Sequence, residues 1–193
     1  SAAFSAAILL GTAPTLPDAI LRLQAIALVV ALGLALHLPL IQLGIYPRTA
    51  AGLAGILFAP LIHGSWSHLI SNSFALLVLG TALRYGYPRA AGPVMILVYL
   101  LSGLGVWCLG RESYHIGASG LTHGMMFFIF TTGILRRDRL SIDLSLIAFF
   151  LYGGMVWSIF PQEPGISFET HFFGGQVHLG LGGEQCLLCA KTT

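Results

Sequence analysis

Residues 115–135 read HIGASGLTHGMMFFIFTTGIL: a polar, glycine-rich head followed by an apolar run. A helix needs about 20 mainly apolar residues to cross the hydrocarbon core of a bilayer, and the part from 117 to 135 meets that length. At the mouth of the run Ser119 lies between Gly117 and Gly120, with His115 and His123 on either side. The serine hydroxyl is therefore either an idle helix cap or a group that reacts.

The rest of the chain has the same character. Of its 193 residues, 56% are hydrophobic and 8% charged, whereas a soluble domain carries about a quarter charged residues. So little charge leaves too few groups to face water. Lipid is the natural solvent, and the expected class is an all-α, polytopic membrane protein forming one domain over 1–193. A net charge of +2 gives no pointer to nucleic acid, and none is expected as a partner. The opening SAAFSAAILL is short and has no basic lead, so it is not read as a signal peptide. Three cysteines are too few for a disulfide framework. Cys108 is expected to pack in an apolar run. Cys186 and Cys189 form a single C-x-x-C, a weak signal for metal or redox chemistry.

Six spans are expected, near 19–38, 67–83, 91–109, 117–135, 142–160 and 168–190. The last is interrupted by Gln176, His178, Glu184 and Gln185, and 176–193 is an atypical C-terminus. Arg84 and Arg89 lie in one connection, and Arg136, Arg137 and Arg139 in another. The alternate connections hold Arg48, Arg111 and, at 161–167, no lysine or arginine. Positive loops stay in the cytoplasm, so both termini are expected inside. The connection 39–66 is too broken by proline and glycine to span, yet half apolar. It is expected to lie in the outer interface, partly sunk in the bilayer.

Polar side chains are costly inside a bilayer, so their depth is informative. His68 and Asn72 stand one turn apart on one face of the second span. Ser119 lies in the first turn of the fourth span, and His171 about one turn into the sixth. At 1.5 Å per residue, all four fall within roughly the outer 10 Å of the membrane. Their chemistry is complementary. A serine becomes a nucleophile when a base takes its proton, and histidine is the usual base. An acyl-transfer oxyanion needs preorganised donors, which the Ser119 N–H, His68 and Asn72 could supply. Gly120 and Gly124 on the fourth span, and Gly174 and Gly175 on the sixth, allow close helix approach.

HGSWSHLISN (63–72), GASG (117–120) and HFFG (171–174), in that order at the outer ends of the second, fourth and sixth spans, resemble the rhomboid intramembrane serine proteases. The resemblance covers about 44–175, and GIYPR (44–48) is similar to some bacterial members. It implies a six-transmembrane-helix bundle with Ser119 as nucleophile and His171 as general base. His68 and Asn72 would bind the oxyanion, and Gly117 would leave room for the substrate backbone. It also implies no metal, no cofactor, transmembrane protein substrates, and residence in the bacterial inner membrane with a site opening outward. The chain departs from the family pattern in two places. Many members carry a Trp-Arg pair in the first outer loop, where this chain has only Pro47-Arg48 nearby. After Gly174 it reads GQVHLGLGGEQCLLCAKTT, where an apolar helix belongs.

Blander readings compete. Ser119 could be a helix cap. His123, at i+4, is a rival base, although the serine side chain tilts away from it. His115 is expected to be a loop residue near the site mouth, and His63 a brace for the outer loop. A catalytically inactive rhomboid-like protein that binds transmembrane clients is the alternative function. A small transporter is more distant, because its polar groups belong at the midplane.

Overall fold

The computed structural model describes residues 39–161 and 167–182, with Gly33 apart. The expected first span at 19–38 and the C-x-x-C lie outside the described residues. The described residues form helices α1 (Ala50–Phe58), α2 (Trp66–Gly86), α3 (Pro88–Leu109), α4 (Ser119–Arg136), α5 (Arg139–Tyr152) and α6 (Phe168–Gly182). Short 3₁₀ turns precede α1, follow it, and extend α5 over Gly153–Ile159. Extended pairing among the described residues is limited to one antiparallel bridge, Ile45 to His115. Helices α2 and α3, and α5 with its 3₁₀ extension, are long and apolar enough to cross a membrane.

The boundaries follow local chemistry. The Ser65 hydroxyl accepts the His68 N–H at 3.1 Å and caps α2. Pro88, which has no N–H to satisfy, opens α3 one residue after α2 ends. Arg137 adopts the left-handed conformation that closes α4. Asp138 then starts α5 by accepting the Ser141 N–H at 3.0 Å, while Arg136 donates to its other oxygen at 2.9 Å. The fifth span is thus shorter as an α-helix than expected and finishes as a 3₁₀ turn.

Helix α4 is the axle. It packs most extensively on α6 and α5, then on α3 and α2. Leu79, Leu83, Val94, Val98, Met125 and Ile129 belong to the apolar cluster around it. Large apolar side chains also cover the outside, and some polar ones are buried: Phe150 is 81% exposed and Leu109 73%, while His115 is 1% and His123 2% exposed. That order suits a lipid surround. Cys108, expected to be packed, is instead exposed on α3. In lipid an apolar position need not face protein, so an apolar run does not reveal its buried side.

The 39–66 segment lies across the end of α3. Arg48 donates its backbone N–H to Trp107 O at 3.0 Å and its guanidinium to Gly110 O at 2.9 Å. Trp107 Nε1 returns a bond to Thr49 O at 2.8 Å. Ile45, Ile56 and Ala59 bury themselves against Val106, while Leu53, Leu57 and Phe58 stay exposed. With nine residues, α1 is too short to span.

Candidate active site

Ser119 is the first residue of α4. The cap position is Ala118, and no side chain fills the cap. The hydroxyl is therefore not used as the helix cap, and the first-turn N–H groups have no partner within the helix. Ser119 is half-buried, next to buried Gly117, Ala118 and Gly120.

Two glycines bring the second element close. A Cβ at Gly174 on α6 would collide with the Gly120 carbonyl, and one at Gly120 would lie 3.0 Å from Thr170 O. The helices therefore cross backbone to backbone one residue after Ser119 and three residues after His171. Only small residues permit that approach.

His171 Nδ1 lies 3.0 Å from the carbonyl oxygen of Ser158, in the 3₁₀ turn after α5. A carbonyl can only accept, so Nδ1 carries the proton and Nε2 presents a lone pair. That tautomer is the one a general base needs. The ring stacks on His123, with centroids 4.1 Å apart and planes 7° off parallel. His123 is fixed in turn: Nδ1 donates to Ser119 O at 2.6 Å, and Nε2 meets Ser158 Oγ at 2.8 Å. Ser119, His123, Ser158 and His171 are thus one cluster drawn from α4, the 3₁₀ turn and α6. Among the described residues, no hydrogen bond joins the Ser119 hydroxyl to His171. Such bonds are often long without substrate and tighten when one binds.

Gly117 supplies the other wall. Its φ of +97° suits glycine. A Cβ there would lie 2.5 Å from His68 Nε2 and 3.3 Å from Asn72 Nδ2. His68 and Asn72 therefore converge on the backbone just before Ser119. Asn72 is buried, and its Nδ2 has no partner among the described residues. A buried amide donor without an acceptor is costly, and a negatively charged oxygen beside Gly117 would satisfy it.

His63 meets His68 edge to face, with centroids 5.0 Å apart. Burial, then the neighbouring His68 imidazole, holds His63 down to about 4, so it is neutral at physiological pH. His115 lies in the loop before α4, two residues ahead of Gly117, and is buried there: its ring bonds Ser167 Oγ at 2.5 Å and Arg111 O at 3.1 Å. Burial pushes its pKa below the usual histidine range.

Sequence reasoning missed Ser158, Arg111 and Glu169. Glu169 carried a usable signal, since an acid beside the start of a span is uncommon. Ser158 carried none.

A Rhomboid domain matches residues 50–182, and the chain belongs to the rhomboid family. It is an integral membrane protein of all-helical fold. Uncharacterized proteins of Mycobacterium tuberculosis (strain ATCC 25618 / H37Rv) and Mycobacterium bovis (strain ATCC BAA-935 / AF2122/97) are each 37% identical over 141 residues, 68% of this chain and 58% of the relative. An uncharacterized protein of Mycobacterium leprae (strain TN) is 31% identical over 131 residues, 63% of this chain and 52% of the relative. The chain thus spans a little over half the length of the curated relatives it matches.

Proposed function

We propose that the protein is a serine endopeptidase that cuts transmembrane proteins in or beside their membrane-spanning segments. Ser119 Oγ attacks the scissile carbonyl carbon while His171 Nε2 takes its proton. The Ser119 N–H, His68 and Asn72 receive the oxyanion. The tetrahedral intermediate collapses to an ester on Ser119, and His171 returns the proton to the departing amine. Water then attacks the ester, with His171 again as base, to release the acid and restore the hydroxyl. None of these steps calls for a metal or cofactor. The site is proposed to open to the outer face of a bacterial inner membrane, with the arginine-rich connections in the cytoplasm. The 39–66 segment is proposed to shape lateral access for a substrate helix.

One observation carries this reading. The glycine crossing sets Ser119 and His171 on adjacent first turns, and the Ser158 carbonyl leaves His171 Nε2 with a free lone pair. A fluorophosphonate probe tests it. Wild type should be labelled, and Ser119→Ala and His171→Ala should not. Labelling that survives loss of His171 would transfer the base role to His123. No labelling of folded wild type would favour the alternative, a non-cleaving relative that binds transmembrane clients.

A further inference from the structure

We propose that Arg111, His115, Ser167 and Glu169 form a polar clasp that positions His171 relative to Ser119. The proposal rests on the dyad reading above and adds residues that act through it.

The need for a clasp comes from the glycine crossing. Gly120 and Gly174 let α4 and α6 touch, but glycines have no side chains to interlock. Such a contact sets distance more firmly than it sets rotation or sliding. A base must be held to a fraction of an ångström, and directional bonds near the site can provide that precision.

The clasp has two arms. In the first, His115 Nε2–H donates to Arg111 O at 3.1 Å, so Nδ1 is an acceptor and takes the Ser167 hydroxyl proton at 2.5 Å. Ser167 Oγ also accepts the Thr170 N–H at 3.4 Å, which caps α6, and meets Thr170 Oγ1 at 2.6 Å. In the second, Glu169 Oε1 receives Arg111 Nε at 3.3 Å and the Arg111 backbone N–H at 3.4 Å. The guanidinium carbon lies 5.5 Å from the centroid of the Phe168 ring. Glu169 is 6% exposed.

Burying a carboxylate and an imidazole is unfavourable unless both are paired. Glu169 is paired through Oε1 alone, its Oε2 having no hydrogen-bond partner among the described residues, and the pairs that form tie the 110–118 loop to the start of α6. That loop leads into Gly117 and Ser119, while Glu169 and Thr170 lead into His171. The loop is pinned from its other side too: Ile45 and His115 exchange two backbone bonds of 2.9 Å, and the Gly117 N–H donates to Ala59 O at 2.8 Å. The catalytic spacing is thus set a few residues away from the reacting atoms.

The test uses the full chain in liposomes. Wild type, Glu169→Gln, Ser167→Ala and the double reversal Arg111→Glu/Glu169→Arg are compared. The readouts are fluorophosphonate labelling rate, kcat and KM on a transmembrane peptide, and Tm. Each single variant should lower kcat and labelling about 10- to 100-fold with KM nearly unchanged, as expected for a base displaced by up to about 1 Å. The double reversal should recover part of the loss from Glu169→Gln, because it restores the ion pair but leaves the backbone N–H of position 111 without its acceptor. The proposal is overturned if both single variants label within about twofold of wild type. It is also overturned if slower labelling merely tracks a fall in Tm and the reversal recovers nothing. Should Glu169→Gln fail to fold, Ser167→Ala decides by the same criteria. Wild type that does not label overturns the dyad itself, whereas labelling wild type with unaffected variants overturns only the clasp.

Discussion

The two ends of the bundle are built on opposite terms. At the end bearing Ser119, the buried residues include His63, Asn72, Ser102, His115, His123, Glu169 and His171. At the arginine end the same helices bury Leu79, Leu83, Val94, Phe128, Ile129 and Leu144. Its main polar cluster, Arg136, Asp138 and Ser141, closes one helix and starts the next. Polar burial is unfavourable in lipid and is concentrated where the proposed chemistry lies. One end supplies packing, and the other supplies a polar network in which some groups, Asn72 Nδ2 among them, have no partner among the described residues.

Substitutions can break that division, beginning with the largest expected effect. Gly174→Val would wedge α4 and α6 apart at the site end. Cleavage of a transmembrane substrate should fall by more than about 100-fold, while circular dichroism should report an intact helical bundle. Asn72→Ala removes one donor facing Gly117. Turnover should fall by roughly 100-fold with KM little changed, within the range for losing an oxyanion donor. At the arginine end the pattern should reverse. Leu83→Ala should cost about 2 kcal/mol of stability, the low end for such cavities, because lipid is as apolar as the lost side chain. Probe labelling well below Tm should match wild type, and a large loss there would show that the ends are not separable.

The smallest effect concerns Asp138. The Ser141 backbone N–H holds the Asp138 carboxyl below its ordinary value; burial opposes it, and the Ser141 hydroxyl and Arg136 add to the lowering. A carboxyl lowered by folding contributes stability above its unfolded value of 3.8, and that contribution is lost as pH falls through the folded value. Asp138→Ala should therefore cost about 1 kcal/mol near neutral pH, the usual worth of a cap. In stability measurements across pH, variant and wild type should converge in acid.

Much of this was legible in the sequence. Expected spans at 67–83, 91–109 and 117–135 became α2, α3 and α4 within a few residues, because spanning length and breakers such as Pro88 are local signals. Counting residues also set His68, Asn72, Ser119 and His171 near the starts of their helices, where the close approaches at Gly117 and Gly120–Gly174 lie. Rotation about each helix axis was not legible. In water an amphipathic stripe marks the buried face, but in lipid both faces can be apolar, and Cys108 was assigned to the wrong one. Ser158 was hidden for another reason: it meets His123 from 35 positions away. The burial of His115 in its loop was not legible because one of its partners, Ser167, reaches it only through the fold, from 52 positions away.

Between α4 and α5 stand only Arg137 and Asp138. That short pivot makes α5 a lever. With its 3₁₀ extension it runs 21 residues, roughly 30 Å at helical rise, so a tilt of about 5° about the pivot would swing the far tip by roughly 2–3 Å. The tip carries Ser158, which grips both stacked imidazoles. Bilayers of different thickness tilt spanning helices differently. Any tilt of α5 would therefore reach, through one serine, the ring that would accept the proton.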